Sequence, residues 1–135
     1  MTPRTLFIFI VLFFAFTVTF WDALAEARPE HHKESYYQQI WCDNAGGETE
    51  HINPDKTRVD CLTTSHAIEF DFAKKWAEAI GQALYYSSQT GLPPGIVLIM
   101  EKESDDKFLL RLKTTINHWN LPIKVWLTGA GANDD

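Results

Sequence analysis

Basic residues are the first shortage in this chain of 135 residues: 12 Lys and Arg stand against 18 Asp and Glu, a formal net charge of −6. That balance excludes a strongly basic nucleic-acid coat, whose affinity comes from neutralising many phosphates over a wide surface. Cysteine is equally scarce, with only Cys42 and Cys61 and no C-x-x-C pair, so a cysteine-rich zinc site and a thioredoxin-like redox motif are excluded. No G-x-S-x-G occurs, which removes the hydrolases built on a nucleophile elbow. Gly46-Gly47 leads into a strand and Gly129-Ala130-Gly131 lies near the C-terminus, so neither glycine cluster opens a helix as a phosphate loop must. Repeats and low-complexity tracts are missing, and the length leaves room for one domain. At 45% hydrophobic and 22% charged residues, the composition supports a packed core and does not suit a disordered chain.

One long apolar run is present, Leu6 to Trp21, preceded by Arg4 and followed by Ala23-Leu24-Ala25. This is the pattern of a secretory signal peptide over 1–25, with an uncleaved anchor as the alternative reading. Either reading exports the chain, to a secreted or periplasmic location. In an oxidising compartment Cys42 and Cys61 can form one disulfide, the alternative being two buried thiols. Residues 26–34, including the pair His31-His32, read as a flexible polar segment. The folded domain is expected over 35–128, with a polar tail at 129–135.

Tyr36, Tyr37, Ile40 and Trp41 recur at helical spacing, and Ser35 suits an N-cap, so the spacing predicts a short helix from Ser35 to about Cys42. Segments 48–52 and 57–62 flank Asn53-Pro54-Asp55-Lys56, a turn signal that predicts a hairpin. Ala67 to Phe72 alternates apolar and acidic residues with period two and predicts a third strand. The period then becomes 3.6 through Trp76, Ile80, Ala83 and Leu84 to about Ser88, before Gly91. Gly95 to Met100 is the continuous apolar run of a strand buried on both faces. Asp105 to Asn120 returns to helical spacing, and 123–127 is a last strand. The order α-β-β-β-α-β-α-β describes an α/β sandwich with a central mixed sheet.

Acidic residues inside this apolar pattern are the candidates for chemistry. Asp60 lies in Arg58-Val59-Asp60-Cys61-Leu62, where an unpaired buried carboxylate is costly. Glu69 and Asp71, two apart on a strand, point the same way. If the second and third strands pair, the three acids converge, and a cluster of like charges calls for a cation, Mg2+ or Mn2+. His51, His66 and His118 match no zinc spacing.

With these acids in that element order, the sequence resembles the PD-(D/E)XK nuclease superfamily over roughly Tyr36 to Leu127. The resemblance implies a restriction-endonuclease-like core in which Asp60 and Glu69 are the metal-binding acids, with Glu50 or Glu48 as an additional acid. Gln82-Ala83-Leu84-Tyr85-Tyr86 is similar to the Q-x-x-x-Y motif of the RecB-like branch, and Gln82 and Tyr86 share a helical face. The pattern departs at the motif lysine, where Asp71 stands. Asp71 then reads either as a metal ligand or as the N-cap of the next helix. Lys74 is the expected substitute for the lysine, with Lys75 second. The implied activity is metal-dependent hydrolysis of nucleic acid, DNA ahead of RNA, with Asp60, Glu69 and Lys74 catalytic and Arg58, Gln82 and Tyr86 touching substrate. The alternative is an inactive nuclease-fold module that binds a partner or serves the cell envelope.

Overall fold

The computed structural model of the chain describes residues 31–132. The signal-peptide reading and the last three residues lie outside that range. Helix α1 (Glu34–Asn44) comes first, then strands β1 (Glu48–Ile52), β2 (Arg58–Leu62) and β3 (Ala67–Phe72). A 3-10 turn (Ala73–Lys75) leads into α2 (Trp76–Thr90), followed by β4 (Pro94–Ile99). A second 3-10 turn (Glu103–Asp105), α3 (Asp106–Trp119) and β5 (Lys124–Thr128) complete the order. The described residues therefore form an α/β fold with three helices and a five-stranded mixed sheet.

The strands lie side by side in chain order. β1, β2 and β3 pair antiparallel, and β3, β4 and β5 pair parallel. The antiparallel half follows from its short turns. Asn53 closes the first hairpin by accepting from Lys56 N–H at 2.9 Å and donating to Thr57 O at 2.9 Å. The parallel half follows from helices α2 and α3, each long enough to return the chain to the same end of the sheet.

Period-two alternation divides the sheet into two faces. Ile96 and Leu98 pack with Ala79, Ala83, Leu112 and Ile116 of α2 and α3. Val97, Ile68 and Phe70 pack on the other side with Cys42 of α1 and with Cys61. Cys42 and Cys61 are joined as a disulfide with Cα atoms 5.8 Å apart, which settles the choice between bridge and thiols. Gly47 is fixed by that bridge, because a Cβ there would stand 2.6 Å from Cys61 Sγ and 2.8 Å from Cys42 Sγ. No helix among the described residues is long and apolar enough to cross a membrane.

Several local expectations need correcting. Helix α1 begins at Glu34 after Lys33, which offers no side-chain cap, so Ser35 lies inside the helix. Its buried residues are Gln38 and Cys42; of the expected stripe, Tyr36 and Ile40 are exposed, whereas Tyr37 and Trp41 are half-buried and Trp41 packs on Phe70 and Trp126. The end of the polar N-terminal segment is anchored, since His31 Nδ1 lies 2.8 Å from Glu101 Oε1 and His32 stacks on Tyr36. The expected C-terminal tail also packs: Gly131 is buried and donates its N–H to Met100 O at 2.8 Å.

Candidate functional site

Parallel pairing sets Glu69 beside Ile96 and Asp71 beside Leu98, so both acids belong to the face covered by α2. Antiparallel pairing of Cys61 with Ile68 makes Asp60 the neighbour of Glu69 across the next step of the ladder. Regular pairing ends there, because the N–H of Phe70 donates to Asp60 Oδ2 at 2.8 Å. The separating strands leave a cleft of about 380 Å³ lined by Asp60, Glu69 and Asp71. Lys56 and Arg58 line it from the hairpin, and Lys75, Gln82 and Tyr86 from the start and body of α2.

Glu34 also lines this cleft from the first turn of α1. Sequence reasoning missed it. The only local signal was an acid in a helical first turn, which ordinarily complements the helix dipole and carries no site information.

The acids are crowded, and two of the four are buried. Glu69 is 3% exposed and Asp71 2%. Burial pushes the Glu69 carboxyl up to about 10, reinforced by the charge of Asp60, by a hydrogen bond between the two side chains, and by Asp71 and Glu34. Burial also raises Asp60 against the opposing effect of the Phe70 N–H. Glu34 rises to about 7 through burial and then through Asp71 and Asp60. Asp71 rises to about 6 through burial, partly offset by Lys75. At neutral pH and without a cation, the cluster therefore retains protons. Glu69 Oε2 is buried and has no hydrogen-bond partner, a costly state for a carboxyl oxygen.

The expected residues sort clearly. Asp60, Glu69, Asp71, Arg58, Gln82 and Tyr86 all line the one cleft, and Gln82 Nε2 donates to Tyr86 Oη at 3.5 Å. Lys74 does not. It lines a separate pocket with Phe72, Lys102 and Lys107, whereas Lys75 lies 3.5 Å from Asp71 Oδ1. The physical reason is angular: adjacent side chains in the 3-10 turn Ala73–Lys75 point about 120° apart, so when Lys75 faces Asp71, Lys74 faces away from it. Asp71 is not the N-cap of α2; it belongs to β3, and its Oδ1 accepts the N–H of Phe72 at 3.0 Å.

Glu50 does not line the cleft. Its backbone takes φ 57, and its carboxylate is held by Arg58 at 2.6 Å and by Gln38 Nε2 at 3.0 Å. The same Gln38 Nε2 donates to the backbone carbonyl of Asp60 at 2.8 Å, so Glu50 and Gln38 brace the strand behind Asp60. Glu48 is paired with His51 at 3.0 Å. His66 sits against Ser65 and Trp126, away from the acids.

At the mouth, Tyr85 hydroxyl donates a short bond to Asp55, tying the hairpin tip to α2. No set of three His, Cys, Asp or Glu among the described residues stands at ligand spacing around one point. The acids form a charged pocket, not a closed ion cage. No protein-family model, curated protein or solved structure matches the chain.

Proposed function

We propose that the chain is an exported, metal-dependent nuclease of PD-(D/E)XK type with a restriction-endonuclease-like core. The observation that carries this reading is Glu69 Oε2, a buried oxygen without a partner beside the carboxyl of Asp60. A divalent cation held there would satisfy that oxygen and take the place of the proton the pair otherwise keeps. Hard carboxylate oxygens suit Mg2+ or Mn2+, and Mg2+ needs only one or two protein carboxylates because water and substrate phosphate complete its shell. Asp60 and Glu69 would hold it, with Asp71 or Glu34 beside them.

The bound ion would supply an acidified water and charge compensation at the phosphodiester. The chain's own residues do the rest. Phe70 N–H and the Gln38 brace hold Asp60 in place. Arg58 and Lys56 offer positive charge to a phosphate entering past the hairpin, while Gln82 and Tyr86 present polar groups from α2. Lys75, the second choice for the motif lysine, takes the catalytic place expected of Lys74, and its ammonium also favours the charged form of Asp71. Export agrees with the Cys42–Cys61 bridge, which persists in oxidising compartments.

The second reading, an inactive nuclease-fold binding or accessory module, draws on the ion pair between Lys75 and Asp71 and on the missing third ligand. Incubation with single- and double-stranded DNA and RNA in Mg2+, Mn2+ or chelator separates the two. Cleavage that requires metal and disappears in Asp60→Ala and Glu69→Ala supports the nuclease. Divalent-ion binding without cleavage supports the module.

A further inference from the structure

A second pocket, of about 250 Å³, opens on the other side of the turn Ala73–Lys75 from the acidic cleft. Phe72, Ala73 and Lys74 form one wall, and Lys102, Lys107 and Phe108 come from the loop after β4 and the first turn of α3. Lysines outnumber acids in its lining, three against Glu101 and Asp105, whereas acids outnumber cations in the cleft. Three lysines line it in a chain whose net charge is −6, and Arg111 adds a fourth cation, 5.6 Å from the Phe108 ring.

The two acids of this pocket are already committed. Glu101 pairs with His31 at 2.8 Å. Asp105 is buried, and its Oδ2 accepts the backbone N–H groups of Glu101 at 3.0 Å and Lys102 at 3.3 Å. Among the described residues, none of Lys74, Lys102 and Lys107 lies within salt-bridge distance of a carboxylate. Lys107 Nζ instead stands 4.9 Å over the Phe108 ring. Three ammonium groups against the carboxylates of Glu101 and Asp105 leave the lining with an excess of positive charge, and an anion offsets that excess. The N-terminal end of α3 adds its partial positive charge on the same side.

The two pockets are separated only by the segment from Asp71 to Lys74, a span of at most about 10 Å. A strand whose phosphate lies over the acidic cleft can thus reach the lysines with a neighbouring phosphate. From this juxtaposition we propose that the pocket of Lys74, Lys102 and Lys107 is an anion subsite that takes a flanking phosphate of a single nucleic-acid strand. The strand is identified through the reading of the acidic cleft, and the inference rests on that reading to this extent. A flexible single strand can bend over the turn between the pockets. A duplex calls for a broader basic face than three lysines in one pocket provide.

The test is binding of a fluorescein-labelled oligothymidylate to the whole chain in Ca2+, followed by anisotropy over a range of salt concentrations. The variant Lys74→Gln/Lys102→Gln/Lys107→Gln is compared with Lys33→Gln/Lys113→Gln/Lys124→Gln, which removes the same charge from exposed positions elsewhere. Each lost phosphate contact lowers the salt slope of single-strand binding by about 0.7. The expected result is a slope reduced by about 0.7 and weaker binding in the first variant only. An unchanged slope, an equal loss in the control variant, or no binding by the native chain overturns the proposal. If the native chain binds with the steeper slope yet leaves the strand intact in Mg2+ or Mn2+, the subsite stands and the nuclease reading fails.

Discussion

The amide of Phe70 donates its hydrogen to Asp60 Oδ2 at 2.8 Å, so a side chain of β2 takes the place a backbone carbonyl would fill in a continuing ladder. Pairing of β2 with β3 is confined to Cys61 with Ile68 and Leu62 with Ala67. The strand that carries Glu69 thereby also fixes Asp60, and the gap beyond the last pair becomes the cleft. Asp60→Asn keeps an oxygen that can accept from Phe70 and removes the charge. It is expected to lower Mn2+ affinity at least tenfold, a loss that residues behind metal ligands already produce. Its effect on stability should be about 1 kcal/mol or less. Calorimetric metal titration and urea unfolding read the two effects separately.

The acid cluster gives stability a definite pH dependence. Glu69, with its carboxyl held near 10 against an ordinary 4.5, keeps its proton in the folded state at pH values where the unfolded chain has lost it. The folded state then binds more protons, so without metal the free energy of unfolding falls as pH rises through that window. The slope approaches about 1.4 kcal/mol per pH unit for each group so held. Urea unfolding in chelator at pH 5, 7 and 9 should show this decline, Mn2+ should reduce it, and Glu69→Gln should flatten it.

Lys75 and Lys74 are adjacent in sequence and separated in effect. Removing the ammonium 3.5 Å from Asp71 Oδ1 by Lys75→Met is expected to move the Asp71 carboxyl above its value of about 6. Lys74→Met should leave that titration where it is. Carboxyl carbon shifts followed by NMR against pH check both.

The bridge between Cys42 and Cys61 should contribute about 3 kcal/mol on the chain-entropy account, lost in Cys42→Ala/Cys61→Ala. Gly47→Ala places a methyl against both sulfurs. Overpacking of this kind costs typically about 1 to 3 kcal/mol. Chemical denaturation should show that cost in the oxidised protein and a smaller one in the Cys42→Ala/Cys61→Ala background, where the sulfurs are gone.

The order of elements was legible because each announces its period. Ala67 to Phe72 alternates, Gly95 to Met100 is unbroken, and Trp76, Ile80, Ala83 and Leu84 repeat as a helix. Asp60 and Glu69 stood out as acids inside apolar strands, and they do share a cleft. What the sequence concealed depends on angles and on distant approach. The point at which β3 gives way to the 3-10 turn decides which of two adjacent lysines faces Asp71, and no residue pattern marks such a boundary to a single position. Glu34 joins the acids only because α1 crosses the sheet, although in sequence it closes a polar stretch. Glu50 was a reasonable ligand by position, but Arg58 and Gln38 claim its carboxylate.

Most direct is the location of a bound ion by paramagnetic broadening, with substoichiometric Mn2+ added to the isotope-labelled chain near neutral pH. The account predicts that amide signals vanish first at Asp60, Glu69, Phe70 and Asp71, and that Glu69→Gln abolishes the effect. Broadening centred elsewhere, or none at any Mn2+ concentration that leaves the fold intact, would contradict it.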